Sequence, residues 1–141
     1  MPNIFVENTL PIFYIRKHLI YFHIRINIYY FSSLEMISTA NKNEIQKGNA
    51  YFLTVVHGDQ VEKYDIVITH INLNSKNGLK GITFKVSDIQ LLKKSNGIIQ
   101  GMSGSPIIQN GKLIGAVSHV QVNDPTKGYG IFIENMLDAA E

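Results

Sequence analysis

The dipeptide Asn110-Gly111 constrains the fold more than any other feature of this sequence. A type I′ turn needs positive φ at both central residues, and Asn and Gly tolerate that conformation better than other residues. The flanking runs 106–109 and 112–120 are rich in Ile and Val. The pattern therefore predicts a tight β-hairpin.

Short β-rich runs separated by turn residues continue upstream as far as Glu35. The runs 51–56 and 61–73 flank turn residues at 57–59, which predicts a second hairpin. Within 82–86, apolar and polar residues alternate, and this is typical of a strand with one buried face. Residues 35–141 are therefore predicted to be all-β.

Two short helices are expected to interrupt or end this β pattern. The first covers residues 88–95 and would be capped by Ser87 or Asp88, because both side chains can accept hydrogen bonds from the first helical amides. A final strand over 130–133 is expected to lead into a C-terminal helix that begins near Glu134.

Composition excludes several classes of function. The 141 residues fit one small domain, and the formal charge is only +2, with no basic run and no Gly-rich phosphate loop, so no nucleic-acid partner is expected. The absence of Cys rules out disulfides and thiolate zinc sites. The five His do not fall at metal-ligand spacings. We expect neither a metal nor another cofactor.

Residues 1–33 differ from the rest of the chain. They are rich in Ile, Tyr, Phe and Asn, and Arg16, Lys17 and Arg25 interrupt each apolar stretch. These charges argue against a membrane span and against an export signal, and the compartment is left unassigned. We therefore divide the chain into an N-terminal extension of uncertain structure, 1–33, and a domain over 34–141.

The chemistry-bearing residues concentrate in the loop Gly101-Met102-Ser103-Gly104-Ser105-Pro106, immediately before the 106–120 hairpin. Gly on either side of Ser103 lets the backbone turn sharply, exposes the hydroxyl and allows nearby amides to point at a developing oxyanion. Such a loop can also be an ordinary tight turn, in which Ser103 and Ser105 would have only structural roles.

This loop and its hairpin, G-M-S-G-S-P-I-I-Q-N-G-K-L-I-G-A-V-S-H-V, resemble the G-D-S-G-G-P nucleophile loop of chymotrypsin-like peptidases. From Gly97 to Leu137, including N-D-P-T-K-G-Y-G-I-F-I-E, the sequence is similar to the stage IV sporulation protein B peptidase family. The likeness continues more loosely back to Glu35 through K-V-S-D-I-Q-L-L-K-K. Residues 1–33 lie outside it.

The resemblance implies a fold and a biology. The fold would be the second β-barrel of a chymotrypsin-like double barrel, with a short C-terminal helix. The activity would be that of a serine endopeptidase acting on a protein or peptide substrate, in this family a membrane-associated regulatory protein whose cleavage signals during spore formation. Family members are exported from the forespore and cleave themselves, so self-cleavage or self-association is also implied.

By motif position, the resemblance assigns Ser103 as nucleophile and Asp88 as the acid that orients a histidine. The amides of Gly101 and Ser103 would bind the oxyanion, and the segment Ser118-His119-Val120 would line the primary pocket and pair with substrate backbone. Asp88 has an alternative role as a helix cap. His119 is expected to be a core or pocket-wall residue and not the general base.

One departure from the family pattern bears on activity. The family's general base lies in an L-G-H-P-I type segment, and no such segment occurs in this sequence. We therefore expect a truncated peptidase domain without its catalytic His. Two functions stay open: an endopeptidase completed by an undetected His or by another polypeptide, and a catalytically inactive remnant that binds peptides or has no function.

Overall fold

A computed structural model of the chain describes residues 38–54, 62–75, 79–97 and 102–139. The predicted turn at 57–59 and the extension 1–33 lie outside these residues. The strands are β1 (Ser38–Thr39), β2 (Gly48–Thr54), β3 (Glu62–Ile71), β4 (Ile82–Val86), β5 (Pro106–Gln109), β6 (Lys112–Gln121) and β7 (Asp124–Phe132). The helices are a 3-10 turn (Lys42–Glu44), α1 (Ile89–Ser95) and α2 (Ile133–Ala139). Among the described residues, no helix is long and apolar enough to cross a membrane.

Six of the strands close into an antiparallel barrel. The order is β6-β5-β2-β3-β4-β7, and β7 pairs in turn with β6, which completes the ring. The two-residue strand β1 joins β6 in parallel. The all-β barrel and its short C-terminal helix are thus as predicted.

The Asn110-Gly111 turn confirms the first prediction. Both residues have positive φ, 51° and 75°, and the flanking residues Gln109 and Lys112 are paired. This two-residue connection has the backbone twist that antiparallel strands require. It fixes the register of β5 against β6, and therefore also the position of the Ser103 loop that precedes β5.

The pairing of the upstream hairpin strands and the alternation of β4 are also confirmed. Strands β2 and β3 pair in antiparallel register from Gly48 to Thr54. In β4 the side chains of Ile82, Phe84 and Val86 are buried, whereas Lys85 is exposed, as the alternation indicates.

The predicted strand over 130–133 is too short, because β7 already begins at Asp124. Gly128 and Gly130 weaken the strand pattern in the sequence, yet both pair with β4 and β6 and are buried in the barrel. A Cβ at Gly130 would lie 2.8 Å from Cδ1 of Ile107. Glycine is therefore used at this position for space, and the interior packing outweighs the local propensity.

Two apolar clusters hold the barrel together. The interior cluster is built around the buried rings of Phe52, Tyr64 and Phe84. The second lies outside the barrel wall, where α2 covers the strands with Met136 and Leu137. Its strand residues are Ile108, Leu113, Ala116 and Ile131. Because both faces are covered here, residues 113–118 of β6 are all buried.

Candidate functional site

The loop 102–105 is attached directly to β6. Gly104 has φ of 89° and donates its amide to the carbonyl of Val117 at 2.6 Å. The amide of Val117 in turn donates to the carbonyl of Ser105 at 2.9 Å. Within the loop, the Ser105 amide donates to the Met102 carbonyl at 3.0 Å, and the Met102 side chain is buried. These bonds fix a tight turn with Ser103 at its outer corner.

Ser103 is exposed, and its side chain makes one hydrogen bond to the residues that the structure describes. Its hydroxyl donates to the backbone carbonyl of Ser118 at 3.3 Å, which is long for an O–H···O bond and therefore weak. Among the described residues, no acceptor bonds the Ser103 amide. An unused amide beside an exposed hydroxyl is the arrangement that an oxyanion-binding site needs.

Ser118 is held in place from a second direction. It is the unpaired residue of a register shift between Val117 and His119 in the β6–β7 ladder. Its hydroxyl donates to the carbonyl of Leu79, in the connection between β3 and β4. The side chain of Ser118 is thereby fixed to that connection, while its carbonyl faces Ser103.

An unpaired strand edge begins beside Ser103. Pairing of β6 with β5 ends at Ala116, and Val117 bonds the loop 102–105 instead. From Ser118 to Gln121, the part of the chain that the structure describes supplies no strand that pairs with this edge of β6, and only the long bond from the Ser103 hydroxyl reaches its Ser118 carbonyl, whereas the other edge pairs with β7. We call residues 118–121 the open edge of β6. An extended peptide can add to such an edge through backbone hydrogen bonds.

Asp88 lies between β4 and α1. It is the N-cap of α1, and its Oδ1 accepts hydrogen bonds from the amides of Gln90 and Leu91 at 2.9 and 3.1 Å. Its Oδ2 accepts a longer bond of 3.3 Å from the amide of Asp65. The carboxylate is thus used on both sides by backbone amides, and no hydrogen bond joins Asp88 to Ser103. The capping alternative is the role that this structure displays.

The described histidines do not bond the Ser103 hydroxyl. His119 is exposed on the outside of the barrel opposite Tyr129, and is not a core residue. His70 is exposed on β3. Three further positions lie outside the described residues, namely His18, His23 and His57, and so does the predicted oxyanion residue Gly101. Within the described ranges, no three His, Asp or Glu residues are grouped so that they could hold a metal ion.

The structure therefore joins Ser103 to Ser118 by a hydrogen bond, places His119 and Val120 next along β6, and uses Asp88 as the cap of α1. Sequence reasoning missed Leu79 and Tyr129. Leu79 contacts the site only because β3 and β4 pair, so no local pattern marks it. Tyr129 lies on β7 opposite His119, within the part of the strand that was not predicted.

Comparisons with known proteins agree with the family resemblance and with the barrel fold. A family model described as SpoIVB peptidase S55 matches residues 16–137, and so begins within the segment that we assign to the extension. Among solved structures, the chain is similar to the serine protease Rv3671c from M. tuberculosis H37Rv, in an inactive serine-to-alanine form, with 14% identity and a TM-score of 0.50. The similarity covers 74% of this chain and 52% of that one, so the chain spans about half of the neighbour's length. No curated protein matches the chain.

Proposed function

This chain belongs to the SpoIVB peptidase S55 family, and we propose that it carries the nucleophile, Ser103, of a serine endopeptidase that acts in proteolytic signalling during spore formation. Membership in a peptidase family implies a protein substrate. A membrane-associated regulatory protein, and the chain itself, are the substrates that the family resemblance favours.

The observation that carries this proposal is the position of Ser103 at the start of the open edge of β6. A peptide that pairs with residues 118–121 would pass directly by the Ser103 hydroxyl. Proximity of this kind supplies a large part of catalysis, because it replaces a bimolecular encounter with a positioned one. The amide of Ser103, which has no acceptor among the described residues, is available to the oxyanion, with Gly101 as its proposed partner.

The bond between Ser103 and the Ser118 carbonyl suggests that substrate binding also frees the Ser103 hydroxyl for reaction. A substrate amide that pairs with this carbonyl competes with the Ser103 hydroxyl for the same acceptor. Because the existing bond is long, little free energy opposes its exchange. Peptide binding would therefore free the hydroxyl in the place where the scissile carbonyl arrives.

The proposed nucleophile needs a general base, because a serine hydroxyl is weakly nucleophilic at neutral pH. His70 and His119 do not bond it. We therefore propose a base outside the described residues, either one of the two His at the N-terminal side of the family match, His18 and His23, or a His of another polypeptide. Asp88 stays the proposed orienting acid on motif grounds, and its Oδ2, which accepts one long hydrogen bond from the Asp65 amide, has capacity for a further donor such as a His N–H.

A second function is favoured by the same hydrogen bond. The Ser103 hydroxyl donates its hydrogen bond to a carbonyl and not to a histidine. This is the arrangement expected of a chain that binds peptides along β6 without cleaving them. In this alternative the open edge is retained and the catalytic chemistry is absent.

Covalent labelling with a fluorophosphonate probe separates the two functions, since the probe reacts with an activated serine and not with an ordinary hydroxyl. The full chain, Ser103→Ala and Ser105→Ala are labelled in parallel, and the modified peptide is mapped. Ser105 is the matched control, because it lies in the same loop but is buried. The endopeptidase proposal expects labelling at Ser103 that Ser105→Ala retains and Ser103→Ala abolishes.

Labelling would then be followed through His18→Ala and His23→Ala, and loss in one of them identifies the base. Absence of labelling in a chain whose circular dichroism and cooperative unfolding show a folded barrel would contradict a self-sufficient enzyme. The peptide-binding function would then be the one to pursue.

A further inference from the structure

Part of the outer wall of the barrel is not covered by α2 and is basic. In this part, side chains of β3, β4, β7 and β6 stand in two cross-strand rows on the outside of the barrel. One row is His70, Thr83, Tyr129 and His119, and the other is Val67, Lys85 and Lys127. Lys80 adds a further positive charge from the β3–β4 connection. We call Lys80, Lys85 and Lys127 the basic face.

Lys80 is positioned by an aromatic ring and not by a carboxylate. Its Nζ lies 4.9 Å from the ring centroid of Tyr129, within the range of a cation–π contact. The Tyr129 ring is itself held, because its hydroxyl accepts a hydrogen bond of 3.0 Å from Nε2 of Gln121. No carboxylate of the described ranges forms an ion pair with Lys80. The charge is therefore oriented but not neutralised.

Lys85 and Lys127 lie directly opposite each other in the β4–β7 ladder. Like charges in this position repel each other and destabilise a sheet. Lys127 is relieved by Asp124 at 3.4 Å, and the pKa of that carboxyl is lowered by a hydrogen bond from the Thr126 hydroxyl and by Lys127. Lys85 has no such partner within the described part of the chain. Of the two opposed lysines, Lys127 is thus compensated by an ion pair within the described residues and Lys85 is not.

The basic face adjoins the open edge of β6. Tyr129, whose ring contacts the ammonium group of Lys80, pairs with His119 on that strand. A peptide added to β6 would place alternate side chains on the outside of the barrel, next to His119 and Gln121. Adjacent strands lie about 4.8 Å apart, so the Tyr129 ring on β7 lies about 10 Å, or two strand spacings, from the backbone of such a peptide. A Glu side chain of the peptide and the long side chain of Lys80 above that ring can span this distance together.

We propose that the basic face selects peptides with acidic residues at the positions that face outward beside β6. This rests on the proposed function, since it assumes that a peptide binds the open edge. Lys80, above the Tyr129 ring, is the proposed specificity-determining residue, and Lys85, which has no ion pair among the described residues, adds a second positive charge on the same wall. Complementary charge of this kind adds modest affinity and strong discrimination between partners.

The test is a binding titration of the isotopically labelled full chain, followed by backbone amide NMR signals, so that it does not depend on cleavage. The probes are a short extended peptide with Glu at alternate positions and the same peptide with Gln at those positions. The acidic peptide is expected to bind about threefold to tenfold more tightly, as exposed ion pairs allow. The Lys80→Gln/Lys85→Gln variant should remove this preference. Lys47→Gln/Lys93→Gln, which removes two exposed lysines elsewhere, should retain it.

The possible outcomes distinguish charge selection by the basic face from peptide binding at the open edge of β6. If neither peptide shifts residues 118–121, the open edge does not bind peptides and both proposals fall. If both peptides shift the edge equally, peptide binding stands and charge selection is wrong. If the Lys47/Lys93 control loses the preference as fully as the Lys80/Lys85 variant, only net charge matters and the basic face is not a site. A response of Lys80 and Lys85 to phosphatidylglycerol vesicles, without a preference between the peptides, would assign the face to a membrane and overturn the proposal.

Discussion

The Ser103 loop and the Asp88 turn each lead into an element of secondary structure, β5 and α1, and both were predicted to be catalytic, but their side chains make different hydrogen bonds. Asp88 accepts three backbone hydrogen bonds, two of them at the start of α1. Ser103 makes one long bond and keeps its amide unused among the described residues. The backbone of both regions is attached to a neighbouring strand, through the bonds of Gly104 and Ser105 with Val117 in one and through the bonds of Ser87 and Asp88 to the Asp65 carbonyl in the other.

This difference indicates that the Asp88 carboxylate stabilises the fold, whereas the Ser103 hydroxyl is available for chemistry. A capping carboxylate contributes to stability because it satisfies amides that the helix leaves unpaired. A hydroxyl presented on a rigid turn contributes little to stability, and its reactivity depends on what is brought to it. The following variants test whether the two regions differ in this way.

The largest effect is expected at Gly97, which follows the helix that Asp88 caps. Its φ is +127°, and a Cβ there would lie 2.3 Å from the carbonyl oxygen of Pro125. Because both the conformation and the backbone contact oppose a side chain, Gly97→Ala should lower the free energy of unfolding by more than about 3 kcal/mol. Urea unfolding measures the loss. Gly48→Ala is the matched control, since Gly48 has the same φ but no atom within 4 Å of the added Cβ. Equal losses would mean that the contact with Pro125 contributes nothing.

A smaller loss is expected at Asp88. Asp88→Ala should cost about 0.5 to 2 kcal/mol, because two α1 amides lose their acceptor, whereas Asp88→Asn keeps an acceptor oxygen and most of the stability. The exposed Asp138→Ala serves as control and should change stability by less than about 0.5 kcal/mol. Labelling of Ser103 in Asp88→Asn sharpens the comparison. Unchanged stability with lost labelling would give Asp88 the catalytic role that its motif position implies.

The smallest effect on folding is expected at Ser103 itself. Ser103→Ala removes one weak hydrogen bond of an exposed side chain, so the free energy of unfolding should stay within about 0.5 kcal/mol of the unaltered chain. Thermal and urea unfolding are the measurements. A loss as large as that of Asp88→Ala would show that the bond to Ser118 is structural, and would remove the contrast between the two regions.

The sequence predicted those parts of the fold that depend on neighbouring residues. The Asn110-Gly111 turn, the alternation of β4 and the cap at Asp88 each follow from the chemistry of a few adjacent residues. The start of β7 could not be predicted in this way. Gly128 and Gly130 belong to the strand because residues from two other strands pack around them, which is information that the local sequence lacks.

The candidate site likewise contains residues that local sequence predicts and residues that only the folded barrel brings together. Ser103 was predicted from its own loop, and family resemblance added Ser118 on the following hairpin. Leu79 and Lys80 could not be predicted, because they reach the site only after β3 and β4 have paired. The base is the component that neither the described structure nor a sequence motif supplies.

Strand β6 pairs with β1, β5 and β7, so it exists as a strand only when the barrel is closed. Its open edge is therefore absent from the unfolded chain. A peptide that joins this edge would bind only the folded state, and mass action then requires the folding equilibrium to shift by RT ln(1 + [L]/Kd). A rise in the melting temperature of the barrel therefore reports how much peptide is bound. It can rank peptides by affinity even if the chain cleaves none of them.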